Sequence, residues 1–292
     1  MKTKRYLSFL LSCALLGSTL TPQAAVAEEK FAWGERWLHL PATPAPDASL
    51  KTGYAQVNGI ALFYGTVGQG SPVIFLHGGL ANSDYWGNQI PVIARTHQVI
   101  VVDSRGHGRS SRDSRPLGYD LMTDDVVALM DQLKIAKADI VGWSDGAIIG
   151  IDAAMRYPDR VGKVFAYAPN TTTAGVRTDT ANNPLFARYI TRASGEYRRL
   201  SKTPQQYENF VGQIGEMWQS QPDWSDDRLK KIHTPILIAD GDHDESIIRS
   251  HLEHIAATIP QAGLLIMPDS SHFAFLQAPK EFNDALVNFL AR

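Results

Sequence analysis

The sequence predicts an α/β protein: a mostly parallel, doubly wound sheet with an antiparallel N-terminal hairpin and a small helical cap. Three observations carry this. Short apolar runs bounded by turn residues recur at 73–76, 99–102, 139–142, 164–168, 236–239 and 264–267, the pattern of buried parallel strands. Between them apolar residues take helical spacing, as in Val126, Met130 and Leu133 behind Thr123 as an N-cap, and Phe282, Leu286 and Phe289 near the C-terminus. One interval, between Ala168 and Ile236, spans about 65 residues, too long for a single crossover.

The chain opens on an address. Lys2, Lys4 and Arg5 precede a mainly apolar stretch over 6–20, and Ala25-Val26-Ala27 stands before Glu28-Glu29, so residues 1–27 read as a signal peptide cleaved after Ala27. The stretch is interrupted by Ser8, Ser12, Gly17 and Ser18 and is shorter than the roughly 20 residues of a membrane span, so no membrane span is expected. Lipidation at Cys13 is disfavoured, because Leu11 is bulky where such signals favour small residues. Cleavage removes Lys2, Lys4 and Arg5 and no acid, leaving 25 basic and 30 acidic side chains, net −5. It also removes the sole cysteine, which suits an oxidising compartment, so a periplasmic or secreted protein is expected.

Residues 28–52 read as an extended arm, because Pro41, Pro44 and Pro46 disfavour helix and ladder pairing. The runs 54–57 and 60–64 flank Asn58-Gly59, a dipeptide that tolerates positive φ and makes a tight hairpin. The α/β core is then assigned to 53–170 and 231–292. Residues 171–230 are assigned to a helical cap, with helical candidates over 185–193, 207–218 and 226–232 punctuated by Pro184, Pro204 and Pro222.

Composition excludes several classes. With 44% hydrophobic and 20% charged residues the chain is not disordered, and 28 Lys plus Arg against 30 Asp plus Glu lacks the basic excess of a nucleic-acid binder. One cysteine excludes an internal disulfide and thiolate metal sites, and no metal or organic cofactor is implied. His243, His251 and His254 with Asp242 could be imagined around a metal, but no zinc-binding spacing appears. The sequence specifies no oligomeric state.

The chemistry centres on Gly142-Trp143-Ser144-Asp145-Gly146, a G-x-S-x-G between an apolar strand and an apolar helix. A sharp turn there presents the Ser144 hydroxyl at a strand end, the glycines allowing backbone to approach. Such a nucleophile needs a base and an acid to orient that base. Both are available downstream: Asp244 in Gly241-Asp242-His243-Asp244, and His272 in Ser270-Ser271-His272, giving the order Ser144, Asp244, His272. Asp242 is the rival acid, and His243, His251 and His254 are the rival imidazoles. The developing oxyanion needs two donors, which the amides of Asp145 and of Gly79, or else Leu80, can supply from His77-Gly78-Gly79-Leu80. His77 itself is expected to fix this loop through its ring nitrogens. Trp86, Trp143, Trp218 and Trp224 are candidate acyl-pocket residues, Trp143 foremost because it adjoins Ser144, although tryptophan more often simply packs. Asp124-Asp125 is expected to open a helix, where acid suits the dipole, with no catalytic role.

From Gly53 to Arg292 the chain resembles α/β-hydrolase-fold serine hydrolases. The resemblance rests on His77-Gly78-Gly79, the run Asp103-Ser104-Arg105-Gly106-His107-Gly108-Arg109-Ser110, the Ser144 elbow, Gly241-Asp242-His243-Asp244 and Ser271-His272-Phe273. It implies the α/β-hydrolase fold, favours Asp244 as the acid, and places a lid in the long insert. It also implies cleavage of a small-molecule carboxylic ester through an acyl-enzyme. Lactonase, amidase or peptidase, carbon-carbon hydrolase and perhydrolase chemistry fit the same residues, and a slow-turnover ligand sensor is the non-enzymatic alternative. Dehalogenases and epoxide hydrolases of this fold carry Asp at the elbow, where this chain has Ser144.

Asp145 bears on substrate, since only its amide is needed and its carboxylate would oppose a nearby oxyanion. Gly-Trp-Ser-Asp-Gly is similar to the elbow of valacyclovir-hydrolase-like amino-acid esterases, which implies that Asp145 receives a substrate ammonium. The alternative is an ion pair with Arg188, Arg192, Arg198 or Arg199 of the cap.

Overall fold

The computed structural model describes residues 33–292; the expected signal peptide and the start of the arm lie outside them. Eight strands form one sheet in the order β1-β2-β4-β3-β5-β6-β7-β8. They are β1 (Lys51–Val57), β2 (Ile60–Val67), β3 (Ser71–Leu76), β4 (His97–Val102), β5 (Ala138–Trp143), β6 (Val161–Tyr167), β7 (Ile236–Gly241) and β8 (Ala262–Met267). β2 runs antiparallel to both β1 and β4, and the remaining pairs are parallel. Asn58 and Gly59 turn the hairpin with φ of 42° and 81°, the left-handed conformations this dipeptide tolerates. β3, β4, β5 and β6 each end in four consecutive buried residues, so both faces of the central sheet are covered, the α/β-hydrolase arrangement.

The long helices are α1 (Tyr119–Gln132), α2 (Asp145–Arg156), α3 (Pro184–Leu200), α4 (Tyr207–Ser220), α5 (Arg249–Thr258) and α6 (Pro279–Leu290). α3 starts where Pro184 occupies the first turn and Asn183 Oδ1 accepts the amides of Leu185 and Phe186 at 2.8 and 3.3 Å. α1 departs from expectation. It begins four residues before Thr123, and the Tyr119 amide is received at 3.2 Å by Gln221 Oε1 from the segment after α4. A cap supplied by tertiary contact leaves no local sequence signal, so Thr123 is a buried residue of the second turn. Asp124 and Asp125 accordingly do not open the helix: Asp124 accepts from Arg156 and Tyr157, and Asp125 from Arg105.

Residues 33–49 hold a single short turn of helix at Arg36–Leu38 and otherwise run without regular structure. They strap two regions together. Arg36 donates to the carbonyls of Pro268 and Asp269, and Gln277 reaches the carbonyls of Trp37 and His39, all on the side of β8. Further along, Arg188 and Arg192 of α3 hold the carbonyls of Leu38, Leu40 and Pro41, and Thr43 donates to Glu196.

The loop after β4 knots the core beneath the site. Asp103 accepts the amides of Ser83 and Arg109, and Arg109 bridges Asp103 to Asp84. Arg105 is fully buried and binds both oxygens of buried Asp125 at 2.7 and 2.8 Å. Removing Asp125 leaves the buried Arg105 only the more exposed Asp113 carboxylate, at 3.3 Å. Asp125→Ala is therefore expected to lower unfolding stability by about 3–5 kcal/mol in urea titration. The double variant Arg105→Met/Asp125→Leu should lose less; an Asp125→Ala loss under about 1 kcal/mol would contradict this role.

Candidate active site

Ser144 lies at the end of β5 with φ 53° and ψ −119°, a conformation that L-residues rarely take. It is partly exposed while its neighbours are buried. The turn is possible because a Cβ at Gly142 would collide with the Gly146 carbonyl, and one at Gly146 with the Leu76 carbonyl. Only glycine lets α2 start this close to β3 and β5. The Ser144 amide is tied to the Tyr167 carbonyl at 2.8 Å, and Ala147 and Ile148 donate back to the Ser144 carbonyl. Leu80 after β3, Ala168 after β6 and Asp269 after β8 also have positive φ, so four such non-glycine residues, Ser144 included, share the edge where open α/β sheets bind ligands, while Lys134, before β5, lies at the other.

His272 and Asp244 come from the loops after β8 and β7 at the same edge. His272 Nδ1 lies 2.7 Å from Asp244 Oδ2, with both side chains 3% exposed. Asp244 Oδ1 accepts the amides of Ser246 and Ile247 at 2.5 and 2.7 Å. Burial would lower the His272 pKa, but the charge and hydrogen bond of Asp244, with Glu245 and Asp145 adding to them, hold it above the usual imidazole value. Burial likewise opposes ionisation of Asp244, and His272 outweighs it and holds the carboxyl below the usual range.

The rivals go elsewhere. Asp242 accepts from the Ser270 amide and pairs with His243, whose ring stacks on Trp37 at 4.4 Å. His251 Nε2 accepts the Thr171 amide, and His254 pairs with Asp226. These imidazoles are spread over separate partners, and among the described residues no three His, Cys, Asp or Glu side chains are arranged to hold a metal ion.

His77 holds the loop after β3 from both ring nitrogens: Nε2 accepts the Ser104 amide at 3.0 Å, and Nδ1 lies 2.7 Å from the Gly78 carbonyl. Tyr189 of α3 donates to the Gly79 carbonyl, which clamps that peptide. The Asp145 amide opens α2 and has no intrahelical acceptor. Leu80 is buried, with φ 65°. Trp143 packs against the core: it is 1% exposed and wedged among Tyr85, Tyr189, Phe273 and Phe275, with the His272 ring 5.7 Å away. Its side chain follows the strand's alternation into the core, whereas Ser144 is turned out by the elbow. Trp86 is core as well, in contact with Phe75 and Phe275.

Asp145 resolves differently from the arginine alternative. Arg188 and Arg192 hold carbonyls of the arm, Arg198 pairs with Glu208, and among the described residues no Lys or Arg pairs with Asp145. Its carboxylate is held by neutral donors: Tyr119 Oη at 2.9 Å to Oδ1, and Trp218 Nε1 at 3.0 Å to each oxygen. A Cβ at Gly79 would collide with Trp218 and the Asp145 carboxylate, so the carboxylate, the indole and the loop after β3 are packed together. Burial pushes the Asp145 carboxyl up to about 6, against the pull of Trp218, Tyr119 and His272. Trp218 was expected at most as a pocket wall, and nothing in the local sequence marks Tyr119 or Tyr189.

A carboxyl raised from 3.8 to about 6 binds its proton more tightly in the folded state, so stability declines as pH rises through that window. Ionised at neutral pH, it costs on the order of 3 kcal/mol. Asp145→Asn keeps an acceptor for Tyr119 and Trp218 and is expected to raise Tm at pH 7.5, with the gain shrinking below pH 4. A lower Tm at pH 7.5, with no pH trend, would contradict this.

The Alpha/beta hydrolase family profile matches residues 73–285. Serine hydrolase BPHL of Homo sapiens is 27% identical over 277 residues, covering 87% of this chain and 92% of that one. The 2-hydroxy-6-oxo-6-phenylhexa-2,4-dienoate hydrolase of Burkholderia cepacia is 27% identical over 255 residues, covering 77% and 89%. Among solved structures, the meta-cleavage product hydrolase from Pseudomonas fluorescens IP01 shares the fold with a TM-score of 0.72 at 23% identity, over 84% of this chain and 99% of that one. The chain is a hydrolase of the alpha/beta hydrolase family.

Proposed function

We propose that this hydrolase cleaves carboxylic esters through an acyl-enzyme on Ser144. His272 takes the Ser144 proton as the hydroxyl attacks the ester carbonyl, then gives it to the departing alkoxide. Asp244 orients the ring and stabilises the imidazolium, and the amides of Gly79 and Asp145 receive the oxyanion. Water then attacks the acyl group with His272 again as base, releasing the acid and restoring Ser144. The observation that carries this reading is the buried 2.7 Å His272–Asp244 bond on the sheet edge that also presents Ser144 in its strained turn. The likeness to Serine hydrolase BPHL over 87% of the chain adds to it.

The Asp145 carboxylate supports a substrate with a cationic group near the acyl carbon, such as an amino-acid ester. A buried acid with only neutral donors offers an ammonium a strong partner, and binding would favour its ionised form. We propose export to a periplasm or the exterior from the leader over residues 1–27, with small-molecule esters, rather than nucleic acid or membrane, as partners.

Steady-state hydrolysis of neutral p-nitrophenyl esters and amino-acid esters tests the reading. Ser144→Ala is expected to lose about 10⁴-fold or more in kcat. Retention of wild-type turnover by that variant would exclude the mechanism. Because Asp244 raises the His272 pKa, kcat/KM should fall with acid through a midpoint above 6.5; Asp244→Asn should move that midpoint down and slow the reaction. Asp145→Asn is expected to cut the preference for amino-acid over neutral esters about 10- to 100-fold. Equal losses on both would assign Asp145 a structural role.

A further inference from the structure

β7 reads Ile-Leu-Ile-Ala-Asp-Gly, and its Asp240 is a carboxyl in a run otherwise made of core residues, 1% exposed and paired in register with Ile266 of β8. Oδ1 of Asp240 accepts the Gly241 amide at 2.8 Å, and its side chain is in hydrogen-bond contact with the carboxyl of Asp244. Two carboxyls so placed cannot both be ionised, and one proton must lie between them. Asp244 takes two backbone amides and the imidazole of His272, whereas Asp240 takes one backbone amide. The anion therefore belongs to Asp244 and the proton to Asp240.

We infer that Asp240 is a positioning residue: as a neutral acid it donates a hydrogen bond to the Asp244 carboxylate and fixes it in line with His272. This rests on the proposed role of Asp244 and goes beyond it, because the acid is held by a third side chain and not by loop amides alone. An O–H donor restrains the carboxylate without cancelling its charge, which a cation would partly do. Burial, with the charge of Asp244, pushes the Asp240 carboxyl well above its usual range.

The groups facing this pair are few. Arg249 of α5 acts on Asp240 from a distance, and Tyr167 of β6 lies near, its hydroxyl donating to the Ser271 carbonyl at 2.6 Å. Glu245 is buried beside Asp244, its Oε2 accepting the His272 amide at 3.2 Å while Oε1 has no partner among the described residues; burial and then Asp244 push it up to about 7. Loss of the Asp240 proton would place a second anion against Asp244, so the bond is expected to fail at alkaline pH.

The test compares Asp240→Asn with Asp240→Leu in the full chain. An asparagine can accept the Gly241 amide and donate to Asp244 at every pH; leucine can do neither. Two readouts are taken, kcat against pH and the low-field proton resonance of His272 Nδ1–H, assigned by its absence in His272→Ala. Asp240→Asn is expected to keep kcat within about threefold at pH 7, retain the resonance, and lose an alkaline decline present in the wild type. Asp240→Leu is expected to lower kcat about 10- to 100-fold with little change in KM, and to shift or broaden the resonance. A leucine variant with wild-type rate and resonance overturns the inference, as does an asparagine variant as impaired as leucine. Because the resonance reports the Asp244–His272 bond without turnover, failure of the hydrolase reading itself would appear separately, as a wild type no faster than Ser144→Ala.

Discussion

Between β5 and α2 the chain turns so tightly that a serine must occupy backbone space that its own side chain disfavours. The surrounding structure exists to hold that turn. Glycines at 142 and 146 let three stretches of backbone meet, the Ser144 amide is anchored to β6, and α2 packs along the sheet behind it. Once this is fixed, the register of parallel strands delivers the ends of β3, β7 and β8 to the same edge, with the Gly79 loop, Asp244 and His272 on them. The knot of Asp103, Arg109 and Asp84 and the two-sided grip of His77 serve the same end, since they shape the loop that carries Gly79.

A second theme is the concentration of acid in a dry place. Asp145, Asp240, Asp244 and Glu245 are buried around a single imidazole, and burial raises all of them except Asp244, which His272 holds down. Such a cluster weakens the fold at neutral pH, and its retention is what the trade-off between stability and function leads one to expect at a working site. The acids are covered by elements far apart in sequence. Tyr189 of α3 and Trp218 of α4 reach down onto the site, while the N-terminal strap joins α3 to the loops near β8.

How much of this was legible in the sequence depended on whether the signal was local. β3 to β7 announced themselves by buried apolar runs, and the hairpin by Asn58-Gly59, because both follow from a few consecutive residues; β8, read as buried too, is an edge strand whose Leu264 is 42% exposed. The elbow, the Asp244–His272 contact and the bracing role of His77 were readable because turn chemistry and chain order constrain them. Tertiary choices were not. Gln221 capping α1 displaced the expected start at Thr123, and Trp143 followed strand alternation into the core although it adjoins Ser144. The partners of Asp145 are Tyr119 and Trp218, brought from two helices some distance along the chain, while Arg188 turns to the arm and Arg198 to Glu208. Asp240 carried a signal that reading for motifs passes over: a lone acid inside an apolar strand.

The central claim is that Ser144 is a nucleophile activated by His272, and covalent capture addresses it without choosing a substrate. The chain would be treated with a fluorophosphonate at neutral pH and analysed by intact mass and peptide mapping, alongside His272→Ala. The account predicts one phosphonyl adduct per chain, on the peptide containing Ser144, and labelling at least about 100-fold slower in His272→Ala. An adduct elsewhere, or equal labelling of Ser144 without the imidazole, would contradict it.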